Sequence, residues 1–259
     1  MVPETLDAAR LVTLALVTLV GALLQSAFGF GFAILAAPIF LGVIDSRAGI
    51  QVLVILHVVS SVVVVPRVWQ AAPRPLLHWL ACGSLVGFPV GLLLFLQSDV
   101  QTLKLVVGVA TVAFSLLLAR REWTQAAPPA AAAGGATGFR WLSAAAVGLV
   151  SGLLTAVLVM PGPVAMLYLR ALGLEKQTSR AASLTFFAFC YVMATGLHVL
   201  FAGVSGESWR LAALLAPLVL LGTLIGNALA HRLSEERFRI AVLVLLIGSG
   251  LYAMWGALG

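Results

Sequence analysis

From Leu11 to Ile44 the chain carries no formal charge. About 20 helical residues cross a bilayer core, so this run is too long for one ordinary crossing. In its middle stands Phe28-Gly29-Phe30-Gly31, two glycines that permit a break, flanked by Gln25, Ser26 and Pro38. Irregular backbone at membrane depth is tolerated only where it is buried in protein or lines a wet cavity. An apolar segment broken beside Gln and Ser is therefore a candidate binding site, as in transporters built on discontinuous helices. A long kinked packing helix, whose glycines serve only close contact, is the competing account.

The rest of the chain has the same character. It is 62% hydrophobic and 9% charged, with mean hydropathy +1.12, which marks an integral membrane protein rather than a soluble domain with a large core. The net charge of +6 does not point to nucleic acid, because no basic cluster with interleaved aromatics exists. Cys82 and Cys190 both fall in apolar segments, so neither a disulfide framework nor a metal site is expected. Glu4 and Asp7 precede the first apolar run without a basic region, which argues against a cleaved signal peptide.

In chain order the composition predicts spans at about 48–65, 76–96 and 103–119, then a Pro/Ala/Gly-rich linker over 125–138. A second broken segment follows at about 141–172, then spans at about 181–203, 211–230 and 239–258. The halves repeat. Gly83-Ser84-Leu85-Val86-Gly87 recurs as Gly222-Thr223-Leu224-Ile225-Gly226, and Arg47-Ala48 recurs as Arg180-Ala181. Gly83, Gly87 and Gly91, echoed by Gly222, Gly226 and Ala230, form small-xxx-small packing stripes. The expected fold is an all-α polytopic membrane protein of about eight hydrophobic segments, the first and fifth broken or re-entrant. Residues 1–124 form one repeat and 139–259 the other.

Loop charge decides the crossing pattern. If all eight segments cross once, Lys and Arg divide seven against eight, which is no bias. If each broken segment returns to its starting side, the N-terminal side keeps only Arg10, Arg47, Lys104 and Arg210, and the other side takes the remaining eleven of the fifteen. That is a strong positive-inside signal. Each half then crosses an odd number of times, so the repeats are inverted, both termini face outward, and the linker is cytoplasmic.

Inverted repeats with one broken segment each are a recipe for a secondary transporter whose site lies near the midplane, between the halves. In the second half the break reads Met160-Pro161-Gly162-Pro163, and Pro163 is placed to begin a half-helix. Free amides and the positive dipole end there would attract an anion. The amides around Gly29 to Phe32 would do likewise. The candidate substrate-binding residues are Gln25, Ser26, Phe28, Gly29, Phe30, Gly31, Thr155, Pro161, Gly162 and Pro163, with Phe28 and Phe30 as gates. Against this, Ser26, Ser151 and Thr155 can simply bond their own helix backbone. All nine carboxylates lie at or outside segment ends, which disfavours a cation carrier and suits an anion carrier. His57 and His198, inside spans, are the candidate proton-coupling or pathway groups. Arg47 and Arg180 read first as topology anchors, second as vestibule cations. No cofactor is expected. Two other functions compete: an intramembrane serine protease using Ser151 and His198, and a scaffold that transports nothing.

The residues Gly21, Gln25-Ser26, Phe28-Gly29-Phe30-Gly31 and Pro38, with Gly148-Leu149-Val150-Ser151-Gly152 and Pro161-Gly162-Pro163 later, resemble the TauE/SafE sulfite-exporter family of permeases. The resemblance extends over nearly the whole chain in length, segment layout and two-half organisation. It implies a transporter, not an enzyme, that carries small sulfur oxyanions or organosulfonates across a bacterial-type plasma (inner) membrane. The second half departs from the first, with Met-Pro-Gly-Pro where the first has Phe-Gly-Phe-Gly, so the two contributions to a site need not be equivalent.

Overall fold

A computed structural model describes residues 7–123, 137–230 and 235–258. Most of the 125–138 linker lies outside them, and Thr137 and Gly138 already belong to a helix. The described residues form ten α-helices: α1 (Ala8–Phe28), α2 (Phe32–Ile44), α3 (Ala48–Val68), α4 (Arg74–Gln97), α5 (Val100–Trp123), α6 (Thr137–Leu158), α7 (Gly162–Ala171), α8 (Lys176–Leu197), α9 (Gly206–Leu229) and α10 (Glu235–Leu258). A 3₁₀ turn over Trp69–Ala71 extends α3, and a π turn over His198–Ala202 extends α8. Seven of the helices are long and apolar enough to cross a membrane. Their outer faces carry exposed Val62, Leu85, Val86, Leu93, Leu116, Leu200 and Leu214, as lipid contact requires. The molecule is an all-α polytopic membrane protein.

Each of the two expected broken segments resolves into a long helix followed by a short one. α1 has 21 residues and α2 has 13; α6 has 22 and α7 has 10. Each break follows a helix long enough to cross the membrane. The sequence Long-short-long-long-long then runs twice, α1–α5 and α6–α10.

Contacts fix the helix directions. Gln51 near the start of α3 donates to the Gly203 carbonyl beyond the end of α8, and His57 meets Tyr191. So α3 and α8 are antiparallel. Lys104 near the start of α5 donates to the Gly256 carbonyl near the end of α10, so that equivalent pair is antiparallel too. Lys104 also pairs with Asp45 at the end of α2, at 2.6 Å. The returning α2 thus ends at the same end of the bundle as the start of α5. Following these directions, Arg10, Arg47, Lys104 and Arg210 lie toward one end. The repeats run in opposite senses, as the four-to-eleven charge division requires.

Two parallel helix pairs stitch the repeats together, and both depend on missing side chains. A Cβ on Gly83 would fall 1.8 Å from the Ala145 carbonyl oxygen, one on Gly87 2.0 Å from that of Leu149, and one on Gly148 2.0 Å from that of Leu80. Here α4 and α6 touch backbone to backbone. The symmetry-related pair, α1 and α9, does the same through Gly222 against Leu19 and Gly226 against Leu23. In lipid, helix association rests on such packing, because hydrocarbon tails are as apolar as leucine.

Candidate functional site

The first break is built by glycine. Gly29 ends α1 in the left-handed region at φ 85°, with its amide on the Gln25 carbonyl, and Gly31 precedes α2 at φ 118°. In the second break the left-handed residue is Val159, at φ 60°, a position the Met-Pro-Gly-Pro reading did not single out. An L-residue there costs about 1–2 kcal/mol, and a β-branched one is a true outlier. Val159 is fully buried. The following half-helix starts at Gly162, one residue earlier than expected, with Pro161 as its cap and Pro163 inside its first turn.

The two breaks meet. A Cβ on Gly162 would lie 3.9 Å from Cβ of Phe30 and 3.6 Å from the ring of Phe187, which stands midway along α8. Helix lengths agree. At 1.5 Å per residue α2 returns about 20 Å to one side and α7 about 15 Å to the other, so the breaks fall inside a hydrocarbon layer of about 30 Å. Phe30 is edge-on to Phe114, and the Arg170 guanidinium lies 6.0 Å from its ring centroid. Phe28 is half-buried and packs against the same small apolar cluster as Phe30.

The polar candidates divide. Gln25 is buried. Ser26 donates to the Thr223 carbonyl of α9 at 2.8 Å, and Thr223 in turn shares a hydroxyl contact with Ser60 of α3. Ser26 therefore ties α1 to its neighbour rather than to its own backbone. Thr155 does bond its own helix, donating to the Ser151 carbonyl at 2.5 Å, so the backbone-bonding account holds for that residue.

One residue stands differently from its reading as a span-opening anchor. Because α8 begins at Lys176, Arg180 is inside the helix and not at its start. It is buried, and its Nε donates to the Ser26 carbonyl at 2.8 Å; its Nη2 reaches the same oxygen and Asn227 Oδ1 at 2.9 Å. Among the described residues no carboxylate pairs with it. The glycine of the first break packs directly on this residue: a Cβ on Gly29 would lie 3.4 Å from Cα of Arg180 and 2.5 Å from Ser183 Oγ. The signal in the sequence was the four polar residues ahead of Arg180, Lys176 to Ser179, which can continue a helix outward.

His57 is fully buried between Phe32, stacked at 4.3 Å, and Tyr191, also at 4.3 Å. Its Nδ1 lies 2.7 Å from the Leu53 carbonyl and so carries the proton, while Nε2 has no partner among the described residues. His198 Nε2 is held by the Ala156 carbonyl at 2.9 Å. Ser151 Oγ has no hydrogen-bond partner among the described residues. The serine–histidine pair of the protease account is thus not assembled, since a dyad needs the two groups within hydrogen-bond reach. A lateral groove of about 780 Å³ between α1, α2 and α10 is mostly apolar and contains none of the candidate residues.

The family model for the sulfite exporter TauE/SafE matches residues 14–253, nearly the whole chain. The chain belongs to the TauE/SafE family. No curated protein and no solved structure matches it. TauE/SafE membership makes this helical bundle a membrane transporter of a family associated with sulfite-type anions.

Proposed function

We propose that this TauE/SafE protein is a secondary transporter of small sulfur oxyanions or organosulfonates, operating by alternating access across the bacterial inner membrane. The observation that carries the reading is the contact of the two breaks, Phe30 against Gly162, between oppositely directed repeats. Substrate would bind among Gln25, Ser26, Phe28 to Gly31 and Pro161 to Pro163. The amides of the first turn of α2 have no intrahelical partner and face the positive dipole end. Pro161 and Pro163 remove two donors from the α7 end, so the first break supplies more of the field. Termini outside and the linker in the cytoplasm follow from the eleven-to-four charge division. His57, against the first residue of α2, and His198 are the candidate coupling groups.

The test is flux of ³⁵S-sulfite, and of a labelled alkanesulfonate, in proteoliposomes with and without a pH gradient. Saturable flux that requires the protein is expected. Absence of flux for both anions in either direction would sink the transporter reading as stated.

A further inference from the structure

Arg180 combines features that a helix cap alone does not require. It is a cation with 8% of its surface accessible and no carboxylate partner among the described residues. Burying an unpaired charge is costly, so buried charges are ordinarily paired. What it holds instead is one carbonyl from the last turn of α1, an orphan acceptor at the negative dipole end, and the side-chain oxygen of Asn227. Nη1 makes no hydrogen bond among the described residues. Position in the repeat does not impose the burial, since the equivalent Arg47 is half-buried and donates through Nη1 to the Leu96 carbonyl. The missing Cβ of Gly29 lets the first break pack directly against Arg180 and Ser183.

We propose that the Arg180 guanidinium is the group that receives the transported oxyanion, which displaces the Ser26 carbonyl from the guanidinium fork and thereby frees the end of α1. This rests on the transporter reading above and adds its charged ligand. A planar fork matches two oxygens of a sulfite or sulfonate, and a full negative charge outcompetes a neutral carbonyl for it. Asn227 Oδ1 keeps the fork aimed during the exchange. Binding and movement are linked because the same donors serve the anion and the break.

The experiment measures sulfite binding to purified, detergent-solubilised full-length protein, as a dissociation constant and as the anion-induced rise in melting temperature over each variant's own baseline. Arg180→Gln is expected to weaken binding roughly 10- to 100-fold and to abolish the sulfite-induced rise. A residue that only caps α1 would lower the baseline and leave that rise intact, which would overturn the proposal. Arg67→Gln removes an exposed charge near the end of α3 and is expected to stay within about threefold of wild type; an equal loss there would assign the effect to net charge and overturn it too. If Arg180→Gln does not fold, Arg180→Lys keeps the charge without the fork, and wild-type affinity in that variant is the overturning result. Wild-type protein that moves sulfite, is blocked by Gly29→Leu, and binds sulfite equally well as Arg180→Gln would defeat this proposal alone. Wild-type protein that neither binds nor moves sulfite or the sulfonate defeats both.

Discussion

At the scale of single residues, the breaks respond to substitution for different reasons. Gly29 has a left-handed backbone and a filled Cβ position, so Gly29→Leu both strains the chain and collides with Ser183. Gly162 has neither problem. Its Cβ would make ordinary contacts, so only the bulk of leucine, set between Phe30 and Phe187, should matter. Flux in vesicles at matched expression should therefore be abolished in Gly29→Leu and reduced in Gly162→Leu, while Gly162→Ala stays near wild type. Normal flux in both leucine variants would remove the breaks as the site. Gln25→Ala should weaken anion affinity by the worth of a hydrogen bond, about 0.5–1.5 kcal/mol, or up to about 3 if the acceptor is the charged anion. For His57 the informative change is His57→Phe, which keeps the ring stack between Phe32 and Tyr191 and removes the nitrogens. A changed pH dependence of flux is expected; an unchanged one makes His57 a packing residue. The glycines of the first break and both histidines were legible as candidates from their places in apolar runs. Val159 was not, because valine carries no signal for a left-handed backbone; burial holds it there.

At the scale of helices, the glycine stripes were readable, but their partners were not. Small-xxx-small spacing announces that something approaches closely. It does not say that α4 would choose α6 across the repeat boundary, a choice made by backbone contact at Gly83, Gly87 and Gly148. Gly87→Ala places a methyl 2.0 Å from a carbonyl oxygen and should destabilise by about 1–3 kcal/mol, read from unfolding of the purified protein in detergent. Gly196→Ala is the matched control, since nothing lies within 4 Å of its Cβ position. It should be neutral or slightly stabilising, because alanine is the better helix former. Equal losses at both positions would mean that helix propensity, not the crossing, sets the effect. Helix starts were the weakest part of the sequence reading. Arg180-Ala181 looked like an opening pair because Lys176 to Ser179 are polar, yet those residues form the first turn and carry Arg180 inside.

For the whole molecule, charge counting and contact geometry reach the same crossing pattern independently. The first uses only where Lys and Arg stand; the second uses Gln51 on Gly203 and Lys104 on Gly256. Geometry leaves open which end faces the cytoplasm, and the charge division selects the end away from the termini. Reporter fusions after Gly259 and within the 125–138 linker should report outside and cytoplasm respectively, and a cytoplasmic signal after Gly259 would reverse the orientation. Under the alternating access proposed above, the opposed sense of the repeats also bears on which way the resting protein faces. In an inverted repeat whose halves had identical sequence, exchanging their conformations would turn one facing state into the other at no free-energy difference. Every preference for one state must then come from positions where the halves differ. Here these include Arg180 against Arg47 in burial, His57 against Cys190, and Gly29 against Val159 at the breaks. A population ratio of a hundred to one needs only about 2.7 kcal/mol, which is within reach of one strained backbone and one buried guanidinium. Substitutions that make the halves more alike at these three places should push the two facing states toward equal occupancy.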